Sequence, residues 1–188
     1  MTDADFEFFF TDPAATFPNT GRFSALYLLR RDINRCAALD EGFWLGTMGV
    51  FAGIELLATF FAGRDTLRGA PNPCDRFKKF VVRYFGLTEH SAGILYEARK
   101  GLMHSFGLYA GDRRMTRRVS FAPGSDCEHD LIMEERVNYY QIDLSALRCH
   151  FESAIDSYAK DLRSDQELQR LFDSMFPKYG RAQIALVP

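Results

Sequence analysis

In the run Tyr96-Glu97-Ala98-Arg99-Lys100-Gly101-Leu102-Met103-His104-Ser105 an arginine and a histidine stand five positions apart. Histidine gains and loses a proton near neutral pH, and the planar, permanently charged fork of arginine suits an oxyanion such as phosphate. Five positions turn an ideal helix by about 500°, so the two side chains leave it about 140° apart. They share one face only if Arg99 reaches around or if the helix ends close by. A helix C-terminus also favours the protonated imidazole, which suits His104 as a general acid as well as a base. Glu55 is the third candidate: a lone carboxylate in an apolar helix must find a cation or hold a proton. Arg99 is one natural partner for it; a structural ion pair with another arginine, such as Arg35 or Arg83, is the alternative.

The elements that must position these groups are helical. Phe23, Leu26, Tyr27, Ile33 and Ala37 recur at helical spacing. A second helix is expected over about 41–62, an almost uncharged run as long as a membrane span. Gly42, Gly46, Gly49, Gly53 and Gly63 along and just after it, with Glu55 near the middle, speak instead for the buried central helix of a bundle, the glycines letting neighbours approach closely. A Gly- and Pro-rich loop leads to Asp75, a good N-cap, and to a third helix striped by Phe77, Phe80, Val81, Tyr84 and Phe85, with Gly86 as its C-cap. Thr88 can cap the fourth, whose stripe is Ile94, Leu95, Ala98, Leu102 and Phe106.

Residues 113–142 read as a small β-hairpin or meander, with turn chemistry at Pro123-Gly124-Ser125-Asp126. Leu147, Phe151, Ile155, Tyr158 and Leu162 give a fifth helix. Leu168, Leu171, Phe172, Met175 and Phe176 give a sixth, stopped by Pro177. The expected fold is mainly α, an antiparallel helical bundle over 23–176 with a β insertion at 113–142. An extended N-terminal arm (1–22), broken by Pro13 and Pro18, and a C-terminal tail (177–188) flank it.

Composition bounds what such a chain does. At 188 residues, 47% of them hydrophobic, it can bury a sizeable core, and a formal charge of −2 excludes a clamp that holds nucleic acid by overall charge. Local basic clusters remain, the densest being Arg113, Arg114, Arg117 and Arg118, which serve either as a solvated face or as a phosphate contact. The adjacent Tyr139 and Tyr140 serve either for base stacking or for hairpin packing. Cys36, Cys74, Cys127 and Cys149 form no C-x-x-C pair, and residues 1–12 are acidic and aromatic, unlike a secretory leader. Reduced thiols, a cytoplasmic location and no membrane contact are expected. Cys127-Glu128-His129 with Cys149-His150 matches no common zinc module, and no phosphate loop or nucleophile elbow is present. No metal and no cofactor are expected.

With Arg99 and His104 late in an amphipathic helix of a helical domain, and with Leu95-Tyr96 before and Ser105-Phe106 after, the chain resembles the HEPN superfamily from about Ser24 to Leu162. HEPN domains are small helical bundles, often dimeric, and many are metal-independent endoribonucleases with an Arg-x(4–6)-His motif late in one helix. The resemblance implies a homodimer whose two Arg99/His104 pairs line one cleft. It also implies RNA cleavage to 2′,3′-cyclic phosphate ends, with His104 as acid or base, Arg99 stabilising charge on phosphate and Glu55 holding Arg99. Lys100 and the arginines of 113–118 would then contact the nucleic acid. Catalytic members often carry Asn, Asp or His directly after the motif arginine, where this chain has Lys100. The same fold also serves non-catalytic modules for dimerisation and for binding a nucleotide or a protein. The resemblance permits, further, a toxin–antitoxin role with a nucleotidyltransferase-type antitoxin as partner.

Overall fold

The structure is a computed structural model describing residues 1–12, 22–38, 42–64, 72–105, 109–112, 115–124, 127 and 130–183, with the backbone alone at residues 22, 104, 105, 109–112, 115, 116 and 183. Where apolar residues recur at helical spacing, helices form: α1 (Asp3–Phe9), α2 (Ala25–Ala37), α3 (Phe43–Ala62), α4 (Pro73–Phe85), α5 (Glu89–Ser105), α6 (Leu144–Ser164) and α7 (Gln166–Tyr179). Short polar side chains start several of them. Ser24, Asn72, Asp143 and Asp165 each accept a backbone N–H of the first turn of α2, α4, α6 and α7. The protein is mainly α, with short strands at two places among the described residues.

The apolar helix α3 is the hub, packed against α2, α4, α5, α6 and α7. Val50, Phe51, Ile54, Leu57, Ala58 and Phe60 are buried on it, which is how a helix long and apolar enough to cross a membrane is used here as core. Gly53 lets Phe151 of α6 lie directly on the α3 backbone, since a Cβ at position 53 would overlap the Phe151 ring. At the α1 end Phe9 meets Phe60 at 4.7 Å and Phe172 at 5.2 Å between ring centroids. Tyr158 is fully buried among such rings, and its hydroxyl finds no partner among the described residues. Burial pushes that phenol far above its usual range. An unpaired buried hydroxyl costs about 1–3 kcal/mol, so Tyr158→Phe is expected to raise the urea midpoint. A lowered midpoint would show that the hydroxyl is satisfied.

Four local expectations change. Residues 3–9 form helix α1, with Phe6 and Phe9 buried, rather than part of an extended arm, because Thr2 caps the helix and its two phenylalanines have a core to enter. Phe23 belongs to strand β1 (Arg22–Ser24), which pairs antiparallel with β6 (Arg181–Gln183). Asn72 rather than Asp75 caps α4, with Pro73 in the first turn where its missing N–H is harmless. Pro177 does not stop α7, which runs on to Tyr179: so near the helix end it removes little hydrogen bonding, and the Gly180 N–H still reaches Phe176 O at 2.9 Å.

Between α5 and α6 the chain builds a four-stranded sheet rather than the expected hairpin or meander. It consists of β2 (Tyr109–Asp112), β3 (Met115–Ala122), β4 (Ile132–Arg136) and β5 (Tyr139–Asp143), in the order β2-β3-β5-β4. The central pair β3/β5 is parallel, with Val119 opposite Tyr140, and the outer pairs are antiparallel. Crossing β4 to the far edge lets β5 pass straight into α6 through the cap Asp143. The same path brings Cys149 to Cys127, with Cα atoms 5.8 Å apart, and the two form a disulfide. The expectation of four reduced thiols therefore fails for this pair, whose 22-residue separation carries no spacing signal; Cys36 and Cys74 are free.

Candidate functional site

Three helices converge on Glu55. It projects from the middle of α3, its side chain 16% exposed, toward Arg99 on α5 and Arg76 on α4. Glu55 Oε1 lies 3.1 Å from Arg99 Nε, and Oε2 lies 3.8 Å from Arg76 Nη2. The Arg99 N–H is not aligned with the carboxylate, so the close contact is ionic rather than hydrogen-bonded, and both atoms lack a hydrogen-bond partner. Arg76, on the buried face of α4, donates from Nη1 to Arg64 O at 3.1 Å. The Arg99 guanidinium also lies 6.0 Å from the Tyr96 ring centroid.

The pairing of Glu55 with Arg99 is thus present, and Arg35 and Arg83 take no part in it. Arg83 instead binds Asp161 at 2.8 Å. No local pattern singles out Arg76. It follows Asp75, reads as one more charge of a solvated helix start, and only the packing of α4 on α3 turns it inward.

Burial raises the Glu55 carboxyl above its ordinary value, and Arg99 first and then Arg76 pull it back only in part. An acid raised in the folded state binds its proton more tightly there than in the unfolded chain. Its protonation therefore adds stability below the ordinary carboxylate value, and that stability is lost as pH rises through the raised value. The difference in unfolding free energy between wild type and Glu55→Gln is expected to move against the wild type over that window. Urea titrations of both proteins from acid to neutral pH test this, and a difference that does not change with pH contradicts it.

Arg99 lies in the second-last turn of α5 and His104 one residue before its end. The imidazole of His104 lies outside the described residues, as do Arg113 and Arg114. Of the remaining basic candidates, Lys100 and Arg118 are exposed. Arg117 is largely buried and held by Glu97 of α5 at 3.2 Å, so it ties β3 to the helix that carries the Arg/His pair. Tyr140 is buried, with its hydroxyl 3.4 Å from His90 Nε2, while Tyr139 faces Arg136 at 4.9 Å. Tyr140 is accordingly a packing residue. No group of three metal-ligating side chains occurs among the described residues.

Comparison with protein-family models, with curated proteins and with solved structures returns no match. Fold and site together define a mainly α-helical protein with a partly buried Arg–Glu–Arg cluster where α3, α4 and α5 meet.

Proposed function

We propose that the protein is a HEPN-like, metal-independent endoribonuclease that works as a homodimer. The observation that carries this is the 3.1 Å approach of Glu55 to Arg99 Nε, five residues ahead of His104 on the same helix. A carboxylate 3.1 Å from Nε draws the guanidinium toward α3 by charge, and the planar fork of arginine suits an anion such as phosphate. An RNA-cleaving site needs such a cation together with a histidine. The ribose 2′-OH gives up a proton and attacks the adjacent phosphorus, and charge builds on the phosphoryl oxygens. The leaving 5′-oxygen takes a proton, and a 2′,3′-cyclic phosphate remains. His104 moves protons, Arg99 binds the developing charge, and Glu55 positions Arg99. A dimer packed along α5 would bring two such pairs to one RNA-binding cleft, with Lys100 and Arg118 as exposed phosphate contacts.

Labelled RNAs of diverse sequence, incubated with the purified protein in EDTA, test this directly. Cleavage that leaves 2′,3′-cyclic phosphate ends is the expected result. No cleavage by folded protein would instead support a non-catalytic module with the same fold. Lys100 after the motif arginine, and the internal neutralisation of Arg117 by Glu97, favour that second reading.

A further inference from the structure

On the side of Glu55 bounded by α2 lies a groove of about 540 Å³, within the size range of small-molecule sites. Its walls are Leu28 and Leu29 of α2 and Ala52 and Leu56 of α3. Its charged end holds Glu55 and Arg76, and Lys178 and Arg181 stand where α7 passes into β6. Arg76 is 4% exposed, and its Nε has no acceptor among the described residues. A buried donor without an acceptor is costly, more so on a permanent charge, so its place in a groove wall is informative.

The charges set the class of ligand. Arg76 and Arg99 together face one carboxylate, Glu55, which leaves one positive charge uncompensated at the inner end. At the rim Arg181 is matched by Asp5 at 3.0 Å. One surplus positive charge at the inner end suits a monoanionic headgroup there, with Lys178 a further cation near the rim. Away from it the walls are Leu and Ala methyl groups, with no Asn, Gln, Ser or His among the lining residues to read the edges of a base or sugar. The single wall hydroxyl other than Tyr179, on Thr59, is turned to its own helix and donates to Glu55 O at 2.8 Å.

We infer that this groove binds a small amphipathic carboxylate, an aliphatic monoacid whose headgroup supplies the acceptor Arg76 lacks and whose chain lies along Leu28, Leu29, Ala52 and Leu56. This site does not depend on the ribonuclease reading: an inactive protein would bind the acid equally well.

Calorimetric titration of the full chain with sodium octanoate, 1-octanol and octyl phosphate tests it. Octanoate is expected to bind saturably, one per chain, and to raise the melting temperature. The alcohol and the phosphate ester should bind at least about tenfold more weakly, a difference of about 1.4 kcal/mol. Arg76→Gln should lose the preference for octanoate over octanol. Because Arg76 also holds Arg64 O, Leu28→Trp provides a second variant, which fills the groove from α2 and should abolish binding while leaving the melting temperature of the free protein near that of wild type. Absence of saturable octanoate binding, equal binding of octanol, preference for octyl phosphate, or unchanged binding by Leu28→Trp would each overturn the assignment.

Discussion

Replacing Arg99 by alanine is expected to lower the rate of RNA cleavage in EDTA by roughly 100- to 1,000-fold, the usual effect of removing one charge stabiliser from a transition state. Arg99→Lys should recover a minor part, because an ammonium restores the charge beside Glu55 but not the planar fork that suits a phosphate. The two changes separate catalysis from architecture. If Arg99 served only to neutralise Glu55, lysine would replace it well and both variants would differ from wild type in stability rather than in turnover. Saturation kinetics on a single-site RNA should therefore show the loss in kcat with KM little changed. Glu55→Gln should lower kcat less than Arg99→Ala does and leave the pH profile of the rate unchanged, as befits a residue acting through another. A loss confined to KM, or full rescue by lysine, would count against Arg99 as the phosphate-stabilising group.

Phe9→Ala should cost about 3–5 kcal/mol of unfolding free energy, as expected for truncating a fully buried phenylalanine. Phe9 sits where α1, α3 and α7 meet, its ring against Phe60, Phe172 and Phe176. The neighbouring ties are weaker. Arg163 to Glu7 and Arg181 to Asp5 are exposed or half-exposed pairs, each contributing about 0–1 kcal/mol. If α1 merely lay on the surface, Phe9→Ala would cost no more than those pairs do. Urea unfolding of Phe9→Ala beside Arg163→Ala makes the comparison, and similar small losses in both would contradict the packing described here.

The helices were legible wherever one face of the chain is apolar. Phe77, Phe80, Val81, Tyr84 and Phe85, or Leu147, Phe151, Ile155 and Tyr158, mark their buried stripes without any partner being known, because burial imposes the helical period on the sequence. Glu55 was legible for the opposite reason, as a charge where none should be tolerated alone. Features fixed by the meeting of distant segments left no local trace. Arg76 looks like any charged residue of a first turn, and the pairing of β1 with β6 joins residues more than 150 positions apart. The Cys127–Cys149 bond depends on β5 being threaded beside β3. Helix α1 was hidden by its shortness, since seven residues are too few to show a period, and its stability comes from the pocket that Phe6 and Phe9 enter rather than from its own propensity.

His104 carries the central claim, and one comparison tests it: cleavage of end-labelled RNA in EDTA by wild type and by His104→Ala, both shown to be folded by circular dichroism. Loss of a general acid–base group predicts a rate lower by roughly 100- to 10,000-fold in the variant, with no 2′,3′-cyclic phosphate formed above background. Equal cleavage by the two proteins would contradict the assignment of His104 and remove the chemical role from the Arg99/His104 pair.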